Sequence, residues 1–320
     1  MTETHHASAF VTAAWLAHAS AQDVVIVDCR FHLGEPDRGR EQYREGHIPG
    51  AFYADLERDL SGPLGEHGGR HPLPSRDDFA KFAAGLGVGP ETHVVAYDEA
   101  GEMAARCWWL FRYFSHDRAS VLEGGFRAWL DAGLQVVAGE SEPTDGTVGD
   151  DARGAEGGGA RIRGAGSGVA SSSTDHFAPR RSWLATHDDV RSAVDQRAVG
   201  SLVHLVDSRA PERYRGEVEP LDPIAGHIPG ARNIFWGEAY QEPAVLRPHP
   251  QLRAQFGPLL DGRPIVVYCG SGVTASANAL ALHELGIQAR VYAGSFSDWC
   301  SYDDPVATGE ERHAEAEEEG

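Results

Sequence analysis

Lysine is almost absent from this 320-residue chain: Lys81 is the only one among 28 basic residues, set against 48 acidic residues and a formal net charge of −20. No basic stripe exists to neutralise phosphates, which argues against nucleic acid and anionic membranes as partners. Cysteine is scarce too. Cys29, Cys107, Cys269 and Cys300 form no CxxC pair and no regular framework, and a chain this long has no need of disulfide staples. The histidines lack metal-ligand spacing with the cysteines, so no metal and no cofactor is expected. No apolar run approaches the ~20 residues of a membrane span, and no basic segment precedes the apolar stretch near the N-terminus. Residues 10–17 read instead as a short helix. The expectation is a soluble, cytoplasmic protein with reduced thiols.

What the chain does have is repetition. Val27-Asp28-Cys29-Arg30 returns as Val206-Asp207-Ser208-Arg209, and Gly46-His47-Ile48-Pro49-Gly50-Ala51 returns unchanged as Gly226 to Ala231. Val94-Val95-Ala96-Tyr97-Asp98 matches Ile265-Val266-Val267-Tyr268-Cys269, and Gly124-Gly125-Phe126 with Trp129 matches Gly294-Ser295-Phe296 with Trp299. Four matched blocks in one order describe a duplicated domain. In each copy, short apolar runs (24–27, 94–97 and 121–122; 202–206, 265–268 and 289–292) alternate with helical stretches such as 104–114 and 274–285. That alternation predicts an α/β fold, a parallel sheet flanked by helices in each copy. The expected domains are 1–138 and 180–306. Between them, 139–179 is rich in Gly, Ala, Ser and Asp without periodicity and reads as a flexible linker. Residues 307–320 read as an acidic disordered tail.

Functional residues of such folds gather where strands end and helices begin. Cys269-Gly270-Ser271-Gly272-Val273-Thr274 turns the chain from a buried strand into a helix. Two glycines allow conformations in which successive N–H groups converge at the positive end of that helix. A thiolate, a persulfide anion or the charge of an arriving substrate would be held there, so Gly270, Gly272, Val273 and Thr274 are candidate substrate-binding residues beside Cys269. Cys29, Cys107 and Cys300 read as packing residues. In the first copy Asp98 takes the slot of Cys269 and Glu99-Ala100-Gly101-Glu102 replaces the neutral loop. A carboxylate cannot carry sulfur, so this copy is expected to be catalytically silent and to complete the cleft.

The loop Cys-Gly-Ser-Gly-Val-Thr, the Gly-His-Ile-Pro-Gly-Ala block in both halves and the Asp-Ser-Arg strand end resemble tandem-domain rhodaneses, most of all the 3-mercaptopyruvate sulfurtransferase branch. The resemblance covers both halves and omits the linker and tail. It implies two rhodanese-like domains, with only the second catalytic. It further implies a small anionic sulfur donor, and a thiol or cyanide acceptor that includes a reduced thioredoxin-like protein. The thiosulfate-using branch has Arg and Lys after the cysteine, where this chain has Gly270 and Ser271. Arg213 stands where the family binds the substrate carboxylate. A second arginine is expected before the second Gly-His-Ile-Pro-Gly block, but Glu217-Val218-Glu219-Pro220-Leu221-Asp222 contains none, and Arg215 is the available substitute. His71-Pro72-Leu73-Pro74 resembles the segment that reaches over the active site, which implies a relay of His71, Ser271 and an acid among Asp55, Glu57 and Asp59. A histidine that exchanges its proton near neutral pH would suit that role.

Asp28 with Arg30 and Asp207 with Arg209 read as loop-holding ion pairs. His47 and His227, present in both halves, read as architecture. Two rival functions are weighed. A phosphatase needs a longer cysteine loop closed by an arginine, and Ala275 follows Thr274 here. A non-catalytic sulfur carrier is the second, opposed by the intact Cys269 loop.

Overall fold

The computed structural model describes residues 8–20, 23–140, 176–196 and 202–311. The expected linker and tail lie mostly outside the described residues. In the first half the elements are β1 (Phe10–Val11), α1 (Ala13–His18), β2 (Val24–Asp28), α2 (Arg38–Glu45), β3 (Ala51–Tyr53), α3 (Arg76–Gly85), β4 (His93–Tyr97), α4 (Glu102–Tyr113), β5 (Ala119–Leu122) and α5 (Gly125–Asp131). The second half contains β6 (Leu184–Ala185), α6 (His187–Asp195), β7 (His204–Asp207), α7 (Pro211–Tyr214), β8 (Arg232–Asn233), β9 (Tyr240–Glu242), β10 (Val245–Leu246), α8 (His249–Phe256), β11 (Ile265–Tyr268), α9 (Ala275–Glu284), β12 (Ala289–Tyr292) and α10 (Ser295–Trp299).

Each half forms a five-stranded sheet, in the orders β1-β5-β4-β2-β3 and β6-β12-β11-β7-β8, with every neighbouring pair parallel. The central strands are buried along their length, as parallel strands covered on both faces must be. One expectation changes. Phe10 and Val11 are not helical but form the edge strand β1, in register with Val121 and Leu122 of β5, and the helix starts at Ala13 behind its Thr12 cap. Two residues are too few for periodicity to betray a strand.

The two halves share one core. Helix α4 packs on α9, and a single apolar cluster runs from Phe79, Trp108 and Phe111 to Leu280, Leu282 and Val267. Every side chain from Ala275 to His283 in α9 is buried, the signature of a helix enclosed on all sides. Trp108 meets Trp183 and His283 with ring centroids 5.7 and 5.1 Å apart. Truncating such a buried tryptophan costs about 3–5 kcal/mol.

The repeated blocks brace each sheet identically. Arg30 and Arg209 bind their own Asp28 and Asp207 at 2.6 Å and reach the carbonyls of Gly46 and Gly226 at 2.7 and 2.6 Å. His47 and His227 stack on Tyr43 and Tyr214 and hold the same tyrosines' carbonyls at 2.7 Å. Residues 307–311, read from sequence as the start of a tail, pack back on the domain: Ala307 and His227 exchange both backbone hydrogen bonds, at 2.8 and 2.9 Å. At the linker's edges, Glu140 pairs with Arg40 and Arg44, and Phe177 is buried against Phe79. No described helix is long and apolar enough to cross a membrane.

Candidate active site

Strand β11 ends at Tyr268, and the six-residue loop delivers the chain to α9, with Thr274 at the helix cap. Cys269 is only 2% exposed, and its Sγ accepts the N–H of Gly272 at 3.1 Å. The loop glycines do different work from that expected. Gly272 alone takes a left-handed conformation, at φ +80°, and a Cβ there would strike the Ala293 carbonyl oxygen at 2.1 Å. Gly270 has an ordinary φ and instead leaves room: a Cβ on it would meet Arg70 Nη2 at 2.8 Å and both terminal nitrogens of Arg213 at 3.5 Å.

The backbone of Cys269 is clamped from α10. Its N–H donates to Ser295 Oγ at 3.0 Å, and Phe296 and Ser297 donate to the carbonyls of Cys269 and Gly270 at 3.0 and 2.9 Å. Ser295 is left-handed at φ +57°, where the repeat places Gly125 at φ +56°. A non-glycine residue there costs on the order of 1–2 kcal/mol, offset by Ser295 Oγ holding Cys269 N and the Tyr292 carbonyl. The mismatch of Gly-Gly against Gly-Ser in the repeat was the sequence signal for this residue.

The N-terminal domain supplies the rest through residues 67–71, which lie as a strap across α10 and the cysteine loop. Gly68 N–H binds Asp298 Oδ1 at 2.6 Å, Arg70 N–H binds Ser297 Oγ at 3.0 Å, and His67 stacks on Tyr302 with centroids 4.0 Å apart. His71 Nδ1 lies 2.7 Å from Ser271 Oγ, joining two of the expected relay residues. Their third partner is not found: Asp55 caps Glu57 and Arg58, Asp59 accepts the N–H of Asp55, and no carboxylate among the described residues bonds His71. Nor does His71 titrate near neutrality. Burial, then the Arg106 and Arg70 charges, push its imidazolium down to about 4, so the ring is neutral at physiological pH.

Arg213, as expected, reaches the loop. It is fixed by Glu219 at 2.7 Å and Asp222 at 3.1 Å. Glu219 also binds Arg209 at 3.2 Å, and Asp222 also binds Arg70. The result is a ladder of alternating charge, Asp207, Arg209, Glu219, Arg213, Asp222 and Arg70, that crosses from one domain to the other. Arg215, the candidate substitute for a second arginine, instead pairs with Glu217 at 2.8 Å. Sequence reasoning missed Arg70, although it adjoins His71. It also missed Arg106, a single cation within the apolar Ala-Ala-Arg-Cys-Trp-Trp of α4. Arg106 is fully buried, holds the carbonyls of Gly272 and His71 at 3.4 and 3.3 Å, and has no carboxylate partner among the described residues. Burial lowers its pKa to about 10, while proximity to Cys269 supports its charged form.

The corresponding loop of the first half is already filled. Asp98 turns its own carboxylate inward, accepting the N–H groups of Gly101 at 2.6 Å, Met103 at 2.7 Å and Ala104 at 3.0 Å. Ala244, between β9 and β10, covers it: its N–H donates to the Ala100 carbonyl at 2.9 Å and its carbonyl accepts the Gly124 N–H at 3.0 Å. Of the other thiols, Cys29 and Cys107 are buried, and Cys300 lies within reach of the charges of Asp222, Arg209 and Glu219. Burial raises Cys29 well above the usual thiol range and Cys300 to about 12.

Residues 12–132 and 186–302 each match the model of the rhodanese-like domain. A Pseudomonas aeruginosa protein named "Probable 3-mercaptopyruvate sulfurtransferase" is 39% identical over 302 residues, 92% of this chain and 95% of its own. A Mycobacterium tuberculosis protein with a provisional thiosulfate sulfurtransferase designation is 33% identical over 301 residues, 91% of this chain and 93% of its own. Among solved structures, the 3-mercaptopyruvate sulfurtransferase from Leishmania major superposes with a TM-score of 0.72 at 27% identity, over 93% of this chain and 75% of that one. With two matched domains, two parallel sheets of one topology and a cysteine at the strand-to-helix turn of the second, the chain belongs to the rhodanese family of sulfurtransferases in its two-domain form.

Proposed function

We propose that this protein moves a sulfane sulfur by double displacement through Cys269, taking it from 3-mercaptopyruvate in preference to thiosulfate. The observation that carries the reading is a buried Cys269 Sγ that receives the Gly272 N–H, with the cations Arg70, Arg106 and Arg213 gathered around its loop. The thiolate attacks the donor sulfur, an S–S bond forms and the donor's C–S bond breaks. The bonding pair leaves on carbon as the enolate of pyruvate, which takes up a proton. With thiosulfate, the S–S bond to sulfite breaks instead and sulfite leaves with the pair. A thiol, such as that of a reduced thioredoxin-like protein, or cyanide then takes the outer sulfur and returns Cys269 as thiolate. Ser271 and His71 offer a path for the enolate's proton. Since His71 is neutral, it conducts a proton rather than storing one. The first half, its loop filled by Asp98, carries no sulfur.

Donor preference follows from shape more than from loop charge. Guanidinium forks suit a planar carboxylate, and the cations that Gly270 and Ser271 lack arrive from Arg70 and Arg213. The test is kcat/KM for both donors side by side, with mass spectrometry of donor-treated protein. One added sulfur is expected on the peptide containing Cys269, and neither label nor turnover in Cys269→Ser. Label on Cys29, Cys107 or Cys300 would sink the assignment, and a native preference for thiosulfate would sink the donor choice.

A further inference from the structure

We propose that the apolar rim above the cysteine loop is the docking surface for a protein acceptor, a reduced dithiol protein of the thioredoxin type; this rests on the sulfur-transfer reading above. Nine large apolar side chains are exposed among the described residues, and four of them, Leu64, Val218, Leu221 and Ile224, stand on two loops, one from each domain. The loops border a single cavity of about 170 Å³, with Gly65 and Glu66 on one side and Leu221 and Pro223 on the other. Arg70 and Ser297 line it too, and both meet Gly270, the neighbour of Cys269. A Cβ on Gly270 would lie 2.8 Å from Arg70 Nη2, and the Ser297 N–H donates to the Gly270 carbonyl at 2.9 Å. Scattered exposed apolar residues are ordinary, but a cluster around an opening marks an interaction site.

Size makes a protein acceptor rest on that rim. The cavity is smaller than the ~300–1,000 Å³ of ordinary ligand pockets, so it takes a small molecule or one side chain and no protein loop. Cys269 is buried, and a persulfide reaches only about 2 Å beyond Sγ. The acceptor's thiol must therefore come in to meet the sulfur, and the surface around that thiol settles on the two loops. Charge selects the partner. A chain of net charge −20 repels acidic proteins over most of its surface. In these loops, though, the Glu219 and Asp222 side chains are buried and Glu217 is paired with Arg215, which leaves Glu66 as the exposed acid outside any ion pair among the described residues. Beneath the rim, Arg70 and Arg213 keep 29% and 18% of their surface. An uncharged apolar collar over a cationic floor matches a thiolate presented from an apolar surface, and Cys-x-x-Cys proteins carry such a thiolate near neutral pH. That thiolate attacks the outer sulfur, an S–S bond forms to it, and the pair of the broken bond returns to Cys269. The acceptor's second thiol gives its proton to the departing sulfur, closes a disulfide and releases hydrosulfide.

The experiment compares the unmodified protein with the double variant Leu64→Ser, Ile224→Ser, at saturating 3-mercaptopyruvate, with a reduced thioredoxin or cyanide as acceptor. Neither side chain lines the cavity, and both are exposed, at 76% and 42%. Turnover with cyanide, KM for 3-mercaptopyruvate and Tm are therefore expected to stay unchanged, as for surface substitutions generally. KM for thioredoxin is expected to rise about tenfold, or ~1.4 kcal/mol, the loss expected when two anchors of a small contact are truncated. An unchanged KM for thioredoxin overturns the proposal, as does an equal loss with cyanide, which would place the two residues in the framework of the cleft. Turnover of the unmodified protein with cyanide and none with thioredoxin overturns it too. Sedimentation of the unmodified protein as a dimer and of the variant as a monomer would make the rim an interface between two copies, and the proposal falls again. In each of these cases sulfur transfer stands. Inactivity of the unmodified protein with both 3-mercaptopyruvate and thiosulfate overturns the functional reading, and the proposal with it.

Discussion

A guanidinium sealed in a core without a carboxylate is costly to keep, and Arg106 is one. Replacing a buried charge by an apolar side chain of similar volume is often neutral or stabilising, so its presence calls for a reason beyond folding. Arg106 holds the Gly272 carbonyl, and the Gly272 N–H holds Sγ, so the cation both shapes the loop and sets a positive field behind the sulfur. Arg106→Met is therefore expected to leave Tm unchanged or raised while kcat/KM falls at least about tenfold for both donors. Removing one preorganised donor that touches the reacting atoms costs about 10²–10³ in kcat, and Arg106, which acts through the Gly272 carbonyl, is set below that range. Calorimetry and a turnover assay on one preparation check it, and full activity in the variant would remove Arg106 from the site.

Among the elements, the strap of residues 67–71 is fitted to the second domain at one glycine. Gly69 stands at φ +76°, and a Cβ there would lie 2.3 Å from the Gly294 carbonyl oxygen and 2.6 Å from Ser297 Oγ. Gly69→Ala should cost about 1–2 kcal/mol in left-handed strain alone, seen as a Tm lower by a few degrees. A larger proportional fall in kcat/KM should accompany it as Arg70 and His71 lift away. If activity holds while Tm drops, the strap's seating does not limit the reaction. The same strap shows where sequence reading stops. The cysteine loop was legible because the cysteine, the turn glycine and the helix start fall within seven residues, 269 to 275, and the parallel sheets because their strands are contiguous apolar runs. Arg213, named by resemblance, lies against the cysteine loop at Gly270. Arg70, Arg106 and Ser295 act through contacts closed only by domain packing, and Arg70 meets Asp222 across 152 positions of chain. No spacing rule spans that, and an arginine beside a histidine in a Gly-Pro loop gives no hint of its partner. Strand β1, with two residues, lies below the length at which any period exists.

For the whole molecule, the shared core and the strap make domain docking part of folding, so acid should act on both. His71 has its pKa lowered from 6.5 to about 4 by burial and by Arg106 and Arg70. The unfolded chain takes up that proton below pH ~6.5, and the folded chain does not until pH ~4. Stability is thus full above pH ~6.5 and declines between the two values, by at most about 1.4 kcal/mol per pH unit for this group. Melting temperatures at pH 7, 6 and 5 are expected to fall more steeply for the unmodified protein than for His71→Gln. Other groups, including His116, also held down to about 4, titrate alike in both proteins and cancel. Parallel curves would mean that His71 is not the acid-sensitive contact. The exchange of arms between the halves has a further consequence, for descent. The strap of the first half closes the loop of the second, and the turn at Ala244 of the second closes the loop of the first. Neither half is therefore free to change alone, although only the second has a cysteine at its strand-to-helix turn. A substitution at His71 would be felt 200 positions away, at Ser271 of the partner loop, so the sequence of one copy is coupled to the geometry of the other. The loop around Asp98 is tied in the same way, its three N–H groups committed to that carboxylate, so a change there is expected to disturb the Ala244 turn that lies on it.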